Sequence, residues 1–133
     1  MLDFYREFIL DHYRHPRNKG KLPNADISHE EHNPVCGDRI HMDIKLEDDH
    51  IADIKWDGEG CTISQASASI LSEMVKGKSI EEVRQLSKED LLEQLGMETL
   101  TPARIKCALL SLKVLKAGLY GLTTWPGEED EWN

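Results

Sequence analysis

The stretch Arg39-Ile40-His41-Met42-Asp43-Ile44-Lys45-Leu46-Glu47-Asp48-Asp49-His50-Ile51-Ala52-Asp53-Ile54-Lys55-Trp56-Asp57 decides the fold. From 39 to 46 apolar Ile40, Met42, Ile44 and Leu46 alternate with Arg39, His41, Asp43 and Lys45, the period of a half-buried strand. Glu47-Asp48-Asp49-His50 reads as a polar turn, after which Ala52, Ile54 and Trp56 alternate with Asp53, Lys55 and Asp57. The two runs are expected to pair as an antiparallel hairpin. Counting outward from the turn sets residue 38 beside 59 or 60. Cys36, in the turn Asn33-Pro34-Val35-Cys36-Gly37-Asp38, therefore meets Asp38 and Cys61 at one end of the sheet.

Working outward, a third strand is expected within 24–33. Residues 2–14 carry Phe4, Tyr5, Phe8, Ile9 and Tyr13 at helical spacing, and His15-Pro16-Arg17-Asn18 ends that helix. Gly58-Glu59-Gly60 breaks the second hairpin strand, which places Cys61 at the N-terminus of a helix rich in small residues, Thr62 to Lys76, stopped by Gly77. Ser79 with Glu82 and Ser87 with Asp90 have capping-box spacing, so two short helices follow, the second closed by Gly96. Thr101 and Pro102 open a last helix with an apolar stripe of Ile105, Ala108, Leu109, Leu112, Leu115 and Leu119. The reading is an α+β fold, a small antiparallel three-stranded sheet packed against several helices. Residues 1–121 form the single domain expected, and 122–133 an acidic tail.

Composition removes several function classes. With 25 acidic and 16 basic residues the net charge is −9, which repels nucleic acid and anionic lipid. The N-terminus lacks the basic and apolar regions of a signal peptide, and no apolar stretch approaches the ~18 residues of a membrane span. Three cysteines at 36, 61 and 107 do not make a secreted disulfide framework, so a cytoplasmic protein with metal or thiol chemistry is expected.

On the last helix Cys107 lies roughly 120° from the centre of the apolar stripe, on a flank shared with Arg104 and Ser111. Arg104, one turn before it, would favour the thiolate, as the helix N-terminus would for Cys61. Three thiolates and a carboxylate make a four-coordinate set for zinc, and thiolate-rich sites also suit iron–sulfur clusters. Asp38 is the informative member, because a hard carboxylate among soft thiolates leaves one exchangeable ligand. From spacing alone, each cysteine could equally be a small buried hydrophobe, and Asp38 a turn residue bonding its own backbone.

Four motifs decide between these readings. Asp11-His12-Tyr13 with Pro16-Arg17-Asn18, Asn33-Pro34 with Cys36-Gly37-Asp38-Arg39, Gly58-Glu59-Gly60-Cys61 with Ser64 and Ala66 to Ser69, and Pro102 to Cys107 occur in order. Together they resemble the IscU/NifU scaffold family, over about residues 2–120. The resemblance implies Cys36, Asp38, Cys61 and Cys107 as ligands of zinc or a [2Fe–2S] cluster, with Fe2+ entering during assembly. It implies an iron–sulfur assembly scaffold rather than an enzyme, with Cys36 and Cys107 as candidate persulfide acceptors. A cysteine desulfurase and iron–sulfur acceptor proteins are the implied partners, and a monomer or weak homo-oligomer is the expected state.

The motifs stand closest to the SufU branch. Lys106 occupies the place of the IscU branch's histidine, and a protonated lysine cannot replace imidazole as a ligand. Yet the short 78–101 segment lacks the SufU branch's usual insertion. Leu100-Thr101-Pro102-Ala103-Arg104 fills the place of the IscU branch's Hsp70-binding segment with a proline and a lysine replaced, so an Hsp70-type chaperone is the weakest implied partner. The alternative function is zinc-dependent sulfur transfer, towards which Lys106 leans. A structural zinc domain and a thiol redox enzyme stand behind it.

Other residues have plain readings. Lys106 aligns with Lys113 and Tyr120 on a polar stripe, as expected of a solvated lysine, and like Arg104 it is at most a site-supporting residue. His41 and His50 read as exposed strand and turn residues, His12 and His15 as part of the first helix and its end, and His32 as a reserve ligand near Cys36. Ser64, Ser67, Ser69 and Ser72 read as close helix packing, since no acid–base partner is spaced for them.

Overall fold

A computed structural model describes residues 2–33, 37–96 and 102–120. The elements are α1 (Leu2–Arg14), β1 (Ile27–Asn33), β2 (Asp38–Glu47), β3 (His50–Glu59), α2 (Thr62–Val75), α3 (Ile80–Arg84), α4 (Lys88–Leu95) and α5 (Pro102–Tyr120). The sheet is antiparallel in the order β1-β2-β3, as the α+β reading expected.

The hairpin turns through Asp48 and Asp49 at φ 52° and 62°. Both central residues are left-handed, the geometry whose twist matches paired strands. Between Lys45↔Asp53 and Leu46↔Ile51 the register shifts, which leaves Ala52 without a partner residue. One added residue flips the parity of every side chain beyond it. Ile51 is therefore fully buried with Ile54 and Trp56, and Ala52, expected on that face, is exposed.

β1 pairs from Ile27↔Ile44 to Asn33↔Asp38, a narrower strand than 24–33. The sheet's inner face, Ile40, Met42, Ile44, Ile54 and Trp56, is at most 1% exposed and packs against α2 and α5. Burying each of these large side chains contributes about 1.5–3 kcal/mol.

Helix α5 departs from its expected one-sided stripe. Residues 107–112 and 114–117 are all buried, because β1 and β2 cover one side while α2 and α4 cover others. Lys113 pairs with Glu31 at 3.5 Å, Lys116 donates from Nζ to the Arg84 carbonyl at 3.0 Å, and the Tyr120 hydroxyl donates to the Ile80 carbonyl at 2.6 Å. Of the expected polar stripe only Lys106 is exposed.

Helix α2 allows close approach because Ser64, Ala66, Ser67, Ala68, Ser69 and Ser72 are small and fully buried. The Ser67 hydroxyl donates to the Ala108 carbonyl at 2.5 Å and lies 3.1 Å from Ser111 Oγ, tying α2 to α5. Both capping boxes form, Ser79 with Glu82 and Ser87 with Asp90, and Gly96 closes α4 at φ 77°. Helix α1 buries Ile9 and His12 with Phe8 half-buried, whereas Phe4 and Tyr13 are 67% and 43% exposed.

The segment after α1 guards the edge of β3. The Trp56 indole donates to the Arg17 carbonyl at 2.8 Å, Trp56 N–H to the Asn18 carbonyl at 3.0 Å, and Gly20 N–H to the Trp56 carbonyl at 2.8 Å. Asn18 Nδ2 donates to Ser72 Oγ and Glu73 Oε2, both at 3.0 Å. These bonds cover the outer edge of β3 at Trp56. Among the described residues no helix is long and apolar enough to cross a membrane.

Candidate metal centre

Register brings the site together. Arg39↔Glu59 is the last paired position of the hairpin, so Asp38 and Gly60 lie just beyond it, as counting from the turn expected. Gly60, at φ +142°, turns the chain out of β3, and Cys61 becomes the N-cap residue of α2 in extended conformation. No side chain caps that end, so the thiol is not spent on the helix's own amides. The Cys61 N–H instead donates to Asp38 Oδ1 at 2.9 Å, and Cys61 Sγ lies 3.6 Å from Oδ2.

Cys107 enters from the other side on α5, one residue before the carbonyl that Ser67 holds. Expected on a flank, it is 5% exposed, since that flank faces α2. One donor atom from each of Asp38, Cys61 and Cys107 can be chosen so that all lie within 4.8 Å of one another. A tetrahedral zinc with bonds near 2.3 Å has sulfur atoms about 3.8 Å apart. Inward motion of about 1 Å would therefore complete the set. Asp38 is 1% exposed, and a carboxylate so deeply buried is stabilised by a cation beside it. The donor set fits zinc, and its thiolates fit an iron–sulfur cluster equally.

Cys36 and the side chain of Arg104 lie outside the described residues, as does the Leu100-Thr101 part of the chaperone-segment comparison. Asn33 and Gly37, which flank the Cys36 turn, stand at the Asp38 end of the sheet, with Gly37 N–H donating to the Asn33 carbonyl at 2.7 Å. Lys106, one residue before Cys107, is exposed. His32, held in reserve, is 63% exposed in its side chain, with Nε2 3.2 Å from Glu30. Arg39 bonds Glu30 at 2.9 Å and Glu59 at 3.4 Å, and its guanidinium holds the Glu30 carboxyl below the ordinary carboxylate range.

Two residues escaped sequence reasoning. Gly60 reads as a strand breaker in a motif beside Asp38, but that Asp38 fills the space of its missing Cβ has no sequence signature. His12, read only as part of the first helix, is 5% exposed, with Nδ1 2.8 Å from Ser69 Oγ; its position four after Phe8 was the available signal.

In sequence and fold the chain is similar to known proteins. The zinc-dependent sulfurtransferase SufU of Bacillus subtilis is 44% identical, the match covering 86% of this chain and 88% of that protein. The iron–sulfur cluster assembly scaffold protein IscU of Escherichia coli K12 is 36% identical, over 86% and 91%. The crystal structure of FiSufU from Fervidobacterium islandicum AW-1 superposes with a TM-score of 0.75 at 29% identity, over 85% of this chain and 94% of that one. At 19% identity a NifU-like N-terminal structure from Brucella abortus shares the fold, with a TM-score of 0.76 over 88% and 92%. Residues 4–126 match the NifU-like N-terminal domain, and the chain belongs to that family.

Proposed function

We propose that this protein is an iron–sulfur assembly scaffold: it accepts sulfur from a cysteine desulfurase, builds a transient [2Fe–2S] cluster and passes it to acceptor proteins. The observation that carries the reading is the convergence of Asp38, Cys61 and Cys107 within 4.8 Å from three separate elements. In this reading Cys36, whose neighbours Asn33 and Gly37 stand at the same sheet end, supplies the fourth ligand.

Sulfur acceptance is a thiol exchange. A thiolate of Cys36 or Cys107 attacks the outer sulfur of the desulfurase persulfide, the donor's S–S bond breaks, and the donor cysteine leaves as thiolate. The chain's own contribution is positional. Cys61 is held by the α2 terminus, Cys107 by the Ser67–Ala108 bond, and Asp38 by the Cys61 amide. The thiolates retain the cluster as cargo, and the harder carboxylate is the ligand that detaches on transfer. In this reading residues 1–121 are the working domain in the cytoplasm, and 122–133 an acidic tail.

A second reading, zinc-dependent sulfur transfer, keeps Zn2+ at the same residues and uses one cysteine as sulfur acceptor. Exposed Lys106 favours it, because no imidazole is added to the donor set. Protein purified without oxygen separates the two. Iron and sulfide with visible absorption bands are expected for the scaffold, whereas colourless protein with one zinc would overturn it in favour of sulfur transfer.

A further inference from the structure

Gly60 occupies a position no other residue fits. A Cβ built there would lie 2.1 Å from Asp38 Oδ1, 2.7 Å from Cγ and 2.9 Å from Cβ. Real Cβ atoms essentially never come within 3.0 Å of another heavy atom, so a side chain at 60 and the observed Asp38 rotamer exclude each other. At φ +142° the backbone is also one that side-chain-bearing residues rarely adopt. The same turn delivers the Cys61 N–H to Oδ1 at 2.9 Å and leaves Oδ2 nearest the Cys61 sulfur, at 3.6 Å.

We propose that Gly60 is a positioning residue for Asp38: it clears the space in which the carboxylate lies, so that Oδ1 accepts the Cys61 N–H and Oδ2, on the side of the Cys61 sulfur, is the oxygen offered to a metal. Asp38 then serves as a one-oxygen ligand, with a single bond to break on exchange. This inference rests on the reading of Asp38 as a ligand. Nearby Gly58 is different, since a Cβ there would meet the Arg39 carbonyl at 2.1 Å, a strand-packing constraint away from the donor atoms.

The test is Co2+ titration of the reduced full chain without oxygen, read by absorption bands and dissociation constant. Gly60→Ala is expected to weaken Co2+ by about tenfold or more and to change the ligand-field bands as Asp38→Gly does. Gly20→Ala is the control for backbone strain, because Gly20 has φ +145°, like Gly60, and its Cβ would meet nothing nearer than Lys55 Cδ at 4.0 Å. It should leave the Co2+ affinity within about twofold. The double variant Asp38→Gly/Gly60→Ala should bind like Asp38→Gly alone, since the clashing atoms are gone. Gly60→Ala with wild-type bands and affinity, or a double variant about tenfold weaker than Asp38→Gly, would overturn the proposal. If Gly60→Ala does not fold, recovery of folding in the double variant supports the clash, and failure to recover overturns it. Wild-type Co2+ binding by Asp38→Gly would instead remove the ligand reading itself.

Discussion

Helix α2 carries two polar clusters on one stripe of small residues, and they are built to opposite rules. Toward its C-terminal half, Ser69 lies 2.8 Å from His12 Nδ1 and accepts the Arg17 N–H at 2.8 Å, while Asn18 Nδ2 bonds Ser72 and Glu73. Hydroxyl, imidazole and amide are matched donor to acceptor, which fastens α1 and the β3 edge to α2. At its N-terminus two thiols and a carboxylate are gathered instead, three groups that as ions are all acceptors. A cluster of matched partners holds a fold together, whereas a cluster of like electron-rich atoms calls for a cation. This difference separates the structural motif Pro16-Arg17-Asn18 from the chemical one at Cys61.

The comparison breaks most visibly at the thiols. Cys36→Ser, Cys61→Ser and Cys107→Ser should each weaken Zn2+ by more than the ~100-fold typical of an outer-shell partner, with the metal-free melting temperature nearly unchanged. Normal sulfur transfer or cluster formation by any one variant would remove that residue from the site.

Asp38→Ala should have a smaller effect. Thiolates and bridging sulfide still hold a cluster, so it should remain bound but pass to an acceptor protein more slowly, by about tenfold. Protein that lost its metal and melted early, with transfer no slower per bound metal, would favour a structural zinc site.

The structural cluster is expected to respond in the reverse sense. Asn18 sits at φ 60° with three side-chain bonds, to Ser72, Glu73 and Lys76, so Asn18→Ala should cost about 1–2 kcal/mol of stability in urea unfolding and leave Zn2+ affinity unchanged. A large loss of affinity at full stability would mean that the two clusters are coupled.

The smallest effect is a pH dependence. Burial first, then the Arg17 charge, lowers the His12 pKa below 6.5, so the folded state binds fewer protons than the unfolded one. Its contribution is complete above about pH 6.5 and is lost as pH falls from there toward the folded value. His12→Gln should flatten the urea midpoint over that window, and an unchanged slope would show that His12 does not carry this pH dependence.

Local pattern carried much of the molecule. Alternation from Arg39 to Leu46, the capping boxes at Ser79 and Ser87, and Gly77 and Gly96 after their helices were all legible, because each is set by neighbours a few residues away. Hairpin counting even brought Asp38 to Gly60 and Cys61, since antiparallel pairing is arithmetic once the turn is known. The bulge at Ala52, the burial of α5 on several sides and the inward position of Cys107 were not legible. Each depends on what another element covers, and a helical wheel shows one helix in isolation. The vacant space at Gly60 is of the same kind. Sequence alone determined which elements form and which donor residues exist; only tertiary packing decided that α2 and α5 approach closely enough to bring two thiols together, and that one missing Cβ leaves room for the carboxylate beside them.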